Sequence, residues 1–247
     1  QWINKKYDSF QKQYVQESQI EKEVNSIIKS LNENGEDKQY EAKESFFISI
    51  KKMQGKIKEY INTESLSKEK AEKKMNNNLK DCIDSIMVKD LVTSILSFAN
   101  GEGGKFAIGI EDKTWEPVGV DKTDWMYAGK DADTYKNLLR DTIKEKCDNK
   151  SIVTQFAIKI TQDFNNKVLA IIDIEPIPTQ MLQDRFGFTY DSKHYVRADG
   201  GKQLLKPSEF KTHCDSILER RNQDNTNAGE VVEDFMQSDD ADKIRKK

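Results

Sequence analysis

Glu41 and Lys43 stand two residues apart in Tyr40-Glu41-Ala42-Lys43, inside a segment (39–50) whose aromatic and β-branched residues read as a strand. Two apart on a strand, both side chains point to the same face. A carboxylate beside a lysine on one strand is the arrangement of many metal-dependent nucleases. The carboxylate holds Mg²⁺ or Mn²⁺, hard cations that take oxygen ligands, and the lysine orients an attacking water or steadies charge growing on a phosphate. Such a site needs further acids. Glu36 lies five residues before Glu41, at a turn, and Asp112, with Glu111 beside it, ends the strand that follows a glycine turn. Taken alone, Glu-x-Lys is common in a chain that is 34% charged, and as a surface ion pair it is worth little.

Other chemistries find less support. Asn100-Gly101-Glu102-Gly103-Gly104 reads as a tight helix-to-strand connection, since its glycines permit positive φ and close backbone approach. It is not a phosphate loop: Lys105 is followed by Phe106, and the turn follows a helix instead of opening one. His194 and His213 lack a serine and an acid at suggestive spacing, so a triad hydrolase is not supported. Three cysteines, Cys82, Cys147 and Cys214, are an odd number without close pairing, which fits reduced thiols in the cytoplasm and no zinc site of paired cysteines. No apolar run approaches the length of a membrane span, and no signal-peptide pattern stands at Gln1. The net charge of −3 would disfavour a nucleic-acid partner if charge were spread evenly, but it is not. Residues 51–80 hold nine lysines against four acids, and the tail 223–247 holds seven acids against four bases. Lys51, Lys52, Lys56 and Lys58 could track a phosphate backbone by releasing counterions, or could simply form a solvated face. Arg197, on its own short strand, could meet a phosphate or form an ion pair at a sheet edge.

The elements that must position these residues follow from periodicity. Ile3, Tyr7, Phe10 and Tyr14, then Ile20, Val24, Ile27 and Leu31, make one apolar stripe and predict a helix over 1–31, ended by turn chemistry with Gly35 as a left-handed cap. The lysine-rich 51–80 stretch is ambiguous, either a charged loop or helix or, through Met53-Gln54-Gly55, a turn between strands. Lys68 to Ala99 reads as helix, Phe106 to Ile110 as strand and 132–147 as helix. Thr154–Ile160 and Val168–Ile174 form a hairpin, and His194–Arg197 is a strand. Pro207-Ser208-Glu209 opens a final helix. The acidic tail 222–247 is expected to be disordered or a marginal helix. The interleaving predicts a single α/β (α+β) domain with a mixed sheet over 32–221, preceded by a helical extension.

Three ordered segments resemble the AlbA-like domain of the Schlafen family. Tyr40-Glu41-Ala42-Lys43-Glu44-Ser45-Phe46 resembles that family's Glu-Phe-Lys-Glu-Ser strand. Ser97 to Asp112, closed by Val118-Gly119-Val120, is similar to its core signature of Phe-Ala-Asn, a Gly-Gly pair, an Ile-Gly strand and two acids. Tyr195-Val196-Arg197-Ala198-Asp199-Gly200 with Leu205-Lys206-Pro207-Ser208-Glu209 resembles its closing strand and helix start. The resemblance spans roughly 20–218. It implies a mixed α/β fold that binds nucleic acid. It also implies a nuclease site at Glu36, Glu41, Lys43 and Asp112, in which Glu36, Glu41 and Asp112 hold Mg²⁺ or Mn²⁺ and Glu111 stands in reserve. Cleavage of structured RNA such as transfer RNA is implied, with RNA favoured over DNA, as is antiviral defence. A single domain copy would need a homodimer to supply the family's two lobes. A DNA- or RNA-binding module without catalysis is the other reading. The chain departs from the pattern at Ala42, where an aromatic is usual, in its lysine-rich insertion, and in lacking the zinc-binding residues of vertebrate members.

Overall fold

Alternation along Leu169-Ala170-Ile171-Ile172-Asp173-Ile174 puts apolar side chains on both faces of one strand, so the sheet that contains it must be covered twice. The computed structural model describes residues 19–161, 164–198 and 201–237, with side chains as far as Asp224. It provides both covers. The elements run α1 (19–34), β1 (Tyr40–Lys43), α2 (Ile50–Glu64), α3 (Lys68–Asn77), α4 (Ser85–Ala99), β2 (Gly104–Ile108), α5 (Asp124–Tyr127), α6 (Ala132–Lys146), β3 (Phe156–Thr161), β4 (Leu169–Ile174), α7 (Thr179–Gln183), β5 (Thr189–Tyr190), β6 (Lys193–Ala198), β7 (Gly201–Leu205) and α8 (Pro207–Gln237).

The main sheet has the order β1-β2-β4-β3, with β1 parallel to β2 and the other pairs antiparallel. On one face Val24, Ile27 and Leu31 of α1 pack against Ala42, Ala107, Ile110, Leu169 and Ile171. On the other, Phe106, Ile108, Ile158, Ala170 and Ile172 meet Leu91, Ile95 and Phe98 of α4 and Leu139 and Ile143 of α6. A second, antiparallel sheet, β5-β6-β7, lies against α4, and α8 closes a smaller core over it through Phe210, Cys214 and Ile217. The architecture is therefore mixed α/β. Among the described residues no helix is long and apolar enough to cross a membrane.

The helix over 132–147, the 154–160/168–174 hairpin, the strand at His194–Arg197 and the helix from Pro207 all form. Gly35 ends α1 at φ +70°, its N–H bonding Leu31 O at 2.8 Å. The stripe from Ile3 to Tyr14 lies outside the described residues. Several expectations change. The strand expected over 39–50 stops at Lys43. Phe46, Phe47 and Ile48 are buried as an irregular segment that joins no strand ladder and makes one isolated β-bridge, Ile48 to Ile83. Their aromatic and β-branched character marks burial, not pairing. Residues 51–80 become a helical hairpin, α2 packed on α3, with no turn at Gly55. Met53, Ile57, Tyr60 and Ile61 repeat at helical spacing towards the core, and Ser49 caps α2 by accepting from Lys52 N. The long helix expected over 68–99 is two helices, parted by a 3₁₀ turn at Leu79–Cys82 and restarted by Asp84, whose carboxylate accepts from Ile86 and Met87 N–H. The acidic segment after Arg221 continues α8 to Gln237; residues beyond it lie outside the described region.

A ring of four charges fixes α1 to the sheet. Glu23 pairs with Lys105 at 2.5 Å and Lys159 at 2.8 Å, and Asp173 pairs with the same two lysines, at 2.6 Å to Lys159. Burial pushes the Asp173 carboxyl up, but the lysine hydrogen bonds outweigh it and hold it below its usual value. A depressed carboxylate stabilises the fold above its unfolded pKa, and that contribution disappears as pH falls through the folded one. Asp173→Asn is expected to cost about 1–2 kcal/mol near neutral pH, with the gap to wild type closing below about pH 4. Urea unfolding across that range checks it; an unchanging gap contradicts the ring's role.

Candidate active site

Lys43 is the last residue of β1, and its neighbour in register is Ile108, the last of β2. Beyond Ile108, Gly109 adopts φ +99°, where a Cβ would lie 2.6 Å from Leu169 Cδ2, so only glycine fits. Its N–H bonds Lys43 O at 2.7 Å. The chain thus turns directly over the end of β1 and delivers Glu111 and Asp112 beside Lys43. On the other side the turn after α1 holds Asp37, whose carboxylate accepts from Gln39 and Tyr40 N–H at 2.7 and 2.8 Å. That turn sets Glu36 above the strand, where its Oε1 accepts from Ala42 N at 3.2 Å.

Four residues from three segments therefore meet. Lys43 Nζ lies 2.7 Å from Glu36 Oε1, 2.9 Å from Asp112 Oδ1 and 3.7 Å from Glu41 Oε1. Burial alone would lower the pKa of Lys43, but Glu41, Glu36 and Asp112 outweigh it and hold the ammonium above its usual value. Asp112, not Glu111, reaches the lysine; Glu111 accepts from Thr114 Oγ1 within its own turn. Glu44 faces the same acids. Burial, then the charges of Glu111 and Asp112, push its carboxyl up.

Glu41 is 4% exposed and is held from behind. Arg197 on β6 donates from Nη1 to Glu41 Oε2 at 2.5 Å, from Nε to Asp37 O at 2.7 Å and from Nη2 to Tyr40 O at 3.3 Å. Its guanidinium carbon lies 4.4 Å from the Phe98 ring centroid. Of the two roles open to Arg197, a phosphate contact or an ion pair, the structure shows the ion pair: its side chain is 5% exposed and it donates to Glu41, Asp37 and Tyr40 inside the protein. The Phe-Ala-Asn residues are structural in the same way. Asn100 donates to Phe188 O and Tyr195 O at 2.7 and 2.9 Å and accepts from Phe188 N at 2.7 Å, tying the α4 end to the second sheet. His213 bonds Asn100 O at 3.0 Å and His194 stacks on Phe210 at 4.0 Å; burial lowers the pKa of both.

A cleft of about 280 Å³ opens beside the cluster, and Lys43, Glu44, Asp112, Ser49, Lys51 and Met87 are among its lining residues. Of the basic candidates, Lys51 lines this cleft and Lys58 is exposed, whereas Lys52 pairs with Asp84 at 3.2 Å and Lys56 with Glu59 at 3.0 Å. The segment between Ser45 and Ser49, two of the cleft residues, is held by a residue that sequence reasoning missed. Asp124 is fully buried. Its carboxylate accepts from Phe46 N at 2.5 Å, Phe47 N at 3.1 Å, Ile48 N at 3.0 Å and Tyr135 Oη at 3.1 Å. Burial pushes its carboxyl up, against the pull of those four donors. A single acid before Trp125 carries no spacing that would have signalled this.

The three carboxylates carry hard oxygen donors of the type that Mg²⁺ or Mn²⁺ takes, and here they surround the Lys43 ammonium. Among the described residues no three His, Cys, Asp or Glu side chains, these included, are gathered closely enough to hold a metal ion as they stand.

With this geometry in view, the comparison with known families is direct. Residues 36–206 match the Schlafen, AlbA_2 family, a match that begins at the first cluster acid and covers both sheets. The chain belongs to that family, and its function is accordingly a nucleic-acid-related one. No curated protein matches it. A solved structure similar to it is the DIP2311 protein of Corynebacterium diphtheriae, 15% identical, with 54% of this chain and 23% of that chain covered at a TM-score of 0.38. The chain thus spans about a quarter of that protein's length.

Asp124→Ala would strand three buried amides and is expected to cost about 3 kcal/mol or more. Hydrogen exchange should show the Phe46, Phe47 and Ile48 amides losing protection ahead of those of β4; uniform loss would mean that Asp124 does not fix this segment.

Proposed function

We propose that this protein is a metal-dependent endoribonuclease of the Schlafen type, cutting the phosphodiester backbone at the Glu36–Glu41–Lys43–Asp112 cluster. The observation that carries this reading is the meeting of those four side chains, 76 positions apart at their extremes, around one ammonium at the rim of an open cleft. Glu36, Glu41 and Asp112 are the residues that would hold a divalent cation, which when bound would supply Lewis acidity towards a phosphate oxygen and a more acidic water. The protein's own contributions are clear in kind. Arg197 keeps Glu41 in place. Lys43 presents positive charge to the cleft, where it can stabilise charge on a phosphate. Lys51, at the start of α2, adds a second positive charge to the cleft lining. Structured RNA such as transfer RNA is the favoured substrate, and antiviral defence the favoured setting, both on the strength of the family resemblance. A homodimer would supply the second lobe. Cys82, Cys147 and Cys214 are free and buried, in keeping with a cytoplasmic location.

The test is incubation of the protein with transfer RNA and Mn²⁺. Asp112→Asn, at a carboxylate whose side chain is 53% exposed, should leave the fold intact while reducing cleavage about 100-fold or more. Equal cutting by wild type and Asp112→Asn would show that the site is elsewhere.

A second reading has its own observation. Lys43 already neutralises part of the acidic cluster, and α2 presents Lys51 to the cleft with Lys58 exposed on the same helix, as a nucleic-acid-binding module without catalysis would. That module predicts binding that weakens steeply with salt, survives Asp112→Asn and leads to no cleavage with any metal.

A further inference from the structure

The cleft beside the cluster is not lined by charge alone. Met87 and Leu91 stand four apart on α4 and so share one helix face, and Ile50, the first residue of α2, lines the cleft with them. Leu91 is buried, whereas Ile50 and Met87 keep part of their surface open. A site that met only a phosphate backbone would gain nothing from apolar side chains in this place. The volume of about 280 Å³ lies at the low end for small-molecule sites, which suits one ring system and is far too small for a duplex. Two charged residues of the lining also have capacity to spare. Among the described residues no protein donor reaches the Glu44 carboxylate, and no acid pairs with Lys51.

We propose that the cleft is a slot for one unpaired nucleotide: the base lies against Ile50 and Met87, an amino group on its edge donates to Glu44, and Lys51 meets the neighbouring phosphate. This rests on the reading of the cleft as a nucleic-acid site, and it needs neither catalysis nor a metal. In a duplex the faces of the bases are covered by their neighbours, and only edges and phosphates can be touched. An apolar slot therefore gains from a base that has left the stack. The Met87 thioether is polarisable and suits contact with a flat ring. An ionised carboxylate only accepts. Glu44 therefore favours cytosine, whose N4 amino group donates, over uracil, whose O4 in the same place only accepts. Structured RNA offers such nucleotides at loops, bulges and ends.

Fluorescence anisotropy with short labelled RNAs and the full chain, with EDTA present so that nothing is cut, tests this. A mixed-sequence single strand should bind more tightly than the same strand annealed to its complement. Met87→Ser should weaken single-strand binding about fivefold and leave duplex binding unchanged, while Met87→Leu, which keeps the apolar wall, should bind as wild type does. Ile50→Ser serves as a second variant should Met87→Ser fold poorly, judged by its thermal melt. Wild type should bind oligo(C) about fivefold or more tightly than oligo(U), and Glu44→Gln, whose amide donates as well as accepts, should erase the difference. Equal affinity for single strand and duplex, an equal loss in both forms on Met87→Ser, or a cytosine preference that is absent or survives Glu44→Gln, overturns the slot. The nuclease reading fails separately: single-strand preference with no cleavage under Mn²⁺ upholds the slot and defeats the nuclease, whereas cleavage by a protein that binds both forms alike does the reverse.

Discussion

Glu41 is an acid inside the protein, and the arrangement around it follows from that single fact. A buried carboxylate is tolerated only with a well-placed cationic partner and further hydrogen bonds, and removing the partner from such a pair costs several kcal/mol, about 3–5 in measured cases. Arg197 is that partner. Because it comes from β6 and also donates to Asp37 O and Tyr40 O, it joins the second sheet to the edge strand of the first. Phe98 lies beneath its guanidinium, and Asn100, two residues further along, bonds both the Phe188 turn and Tyr195 of β6. The Phe-Ala-Asn segment is thus the joint that lets Arg197 arrive at Glu41. The cluster's geometry depends on how the two sheets are fastened as much as on β1 itself.

Part of the cluster was legible in the sequence because its determinants are local: two-residue spacing puts Glu41 and Lys43 on one face. Glu36 and Asp112 stood only as further acids, and the resemblance to the family, not spacing, joined them to that pair. Arg197 was open between two roles because its partner lies 156 positions away, and no periodicity encodes that distance. The segment 44–49 misled for a different reason. Phe46, Phe47 and Ile48 satisfy a strand's composition, yet their amides are taken by one remote carboxylate instead of a ladder. In 51–80 the lysines obscured the helical spacing of Met53, Ile57, Tyr60 and Ile61, since solvated residues carry little positional information.

Charge also reads differently in three dimensions. The acids at Glu36, Glu41 and Asp112 are compensated where they stand, and Glu23 and Asp173 are matched to Lys105 and Lys159 on the opposite face of the sheet. Lysines on α2 divide into those satisfied by neighbouring acids, Lys52 and Lys56, and those left to solvent, Lys51 and Lys58. The near balance of 40 bases and 43 acids therefore says little about the field over the cleft, which depends on the residual, unmatched groups.

The grip of Asp124 on residues 46–48 is made through main-chain amides, which every residue except proline supplies. The path of the chain between β1 and α2 is therefore insensitive to which side chains it displays. Glu44, Ser49 and Lys51 sit on this anchored stretch or just past it, facing the cleft. Their identities can drift through evolution, or be exchanged by design, while the backbone that carries Lys43 keeps its course. Such a wall separates two tasks that usually conflict in one loop: the chemistry stays registered while the contour presented to a substrate is rewritten.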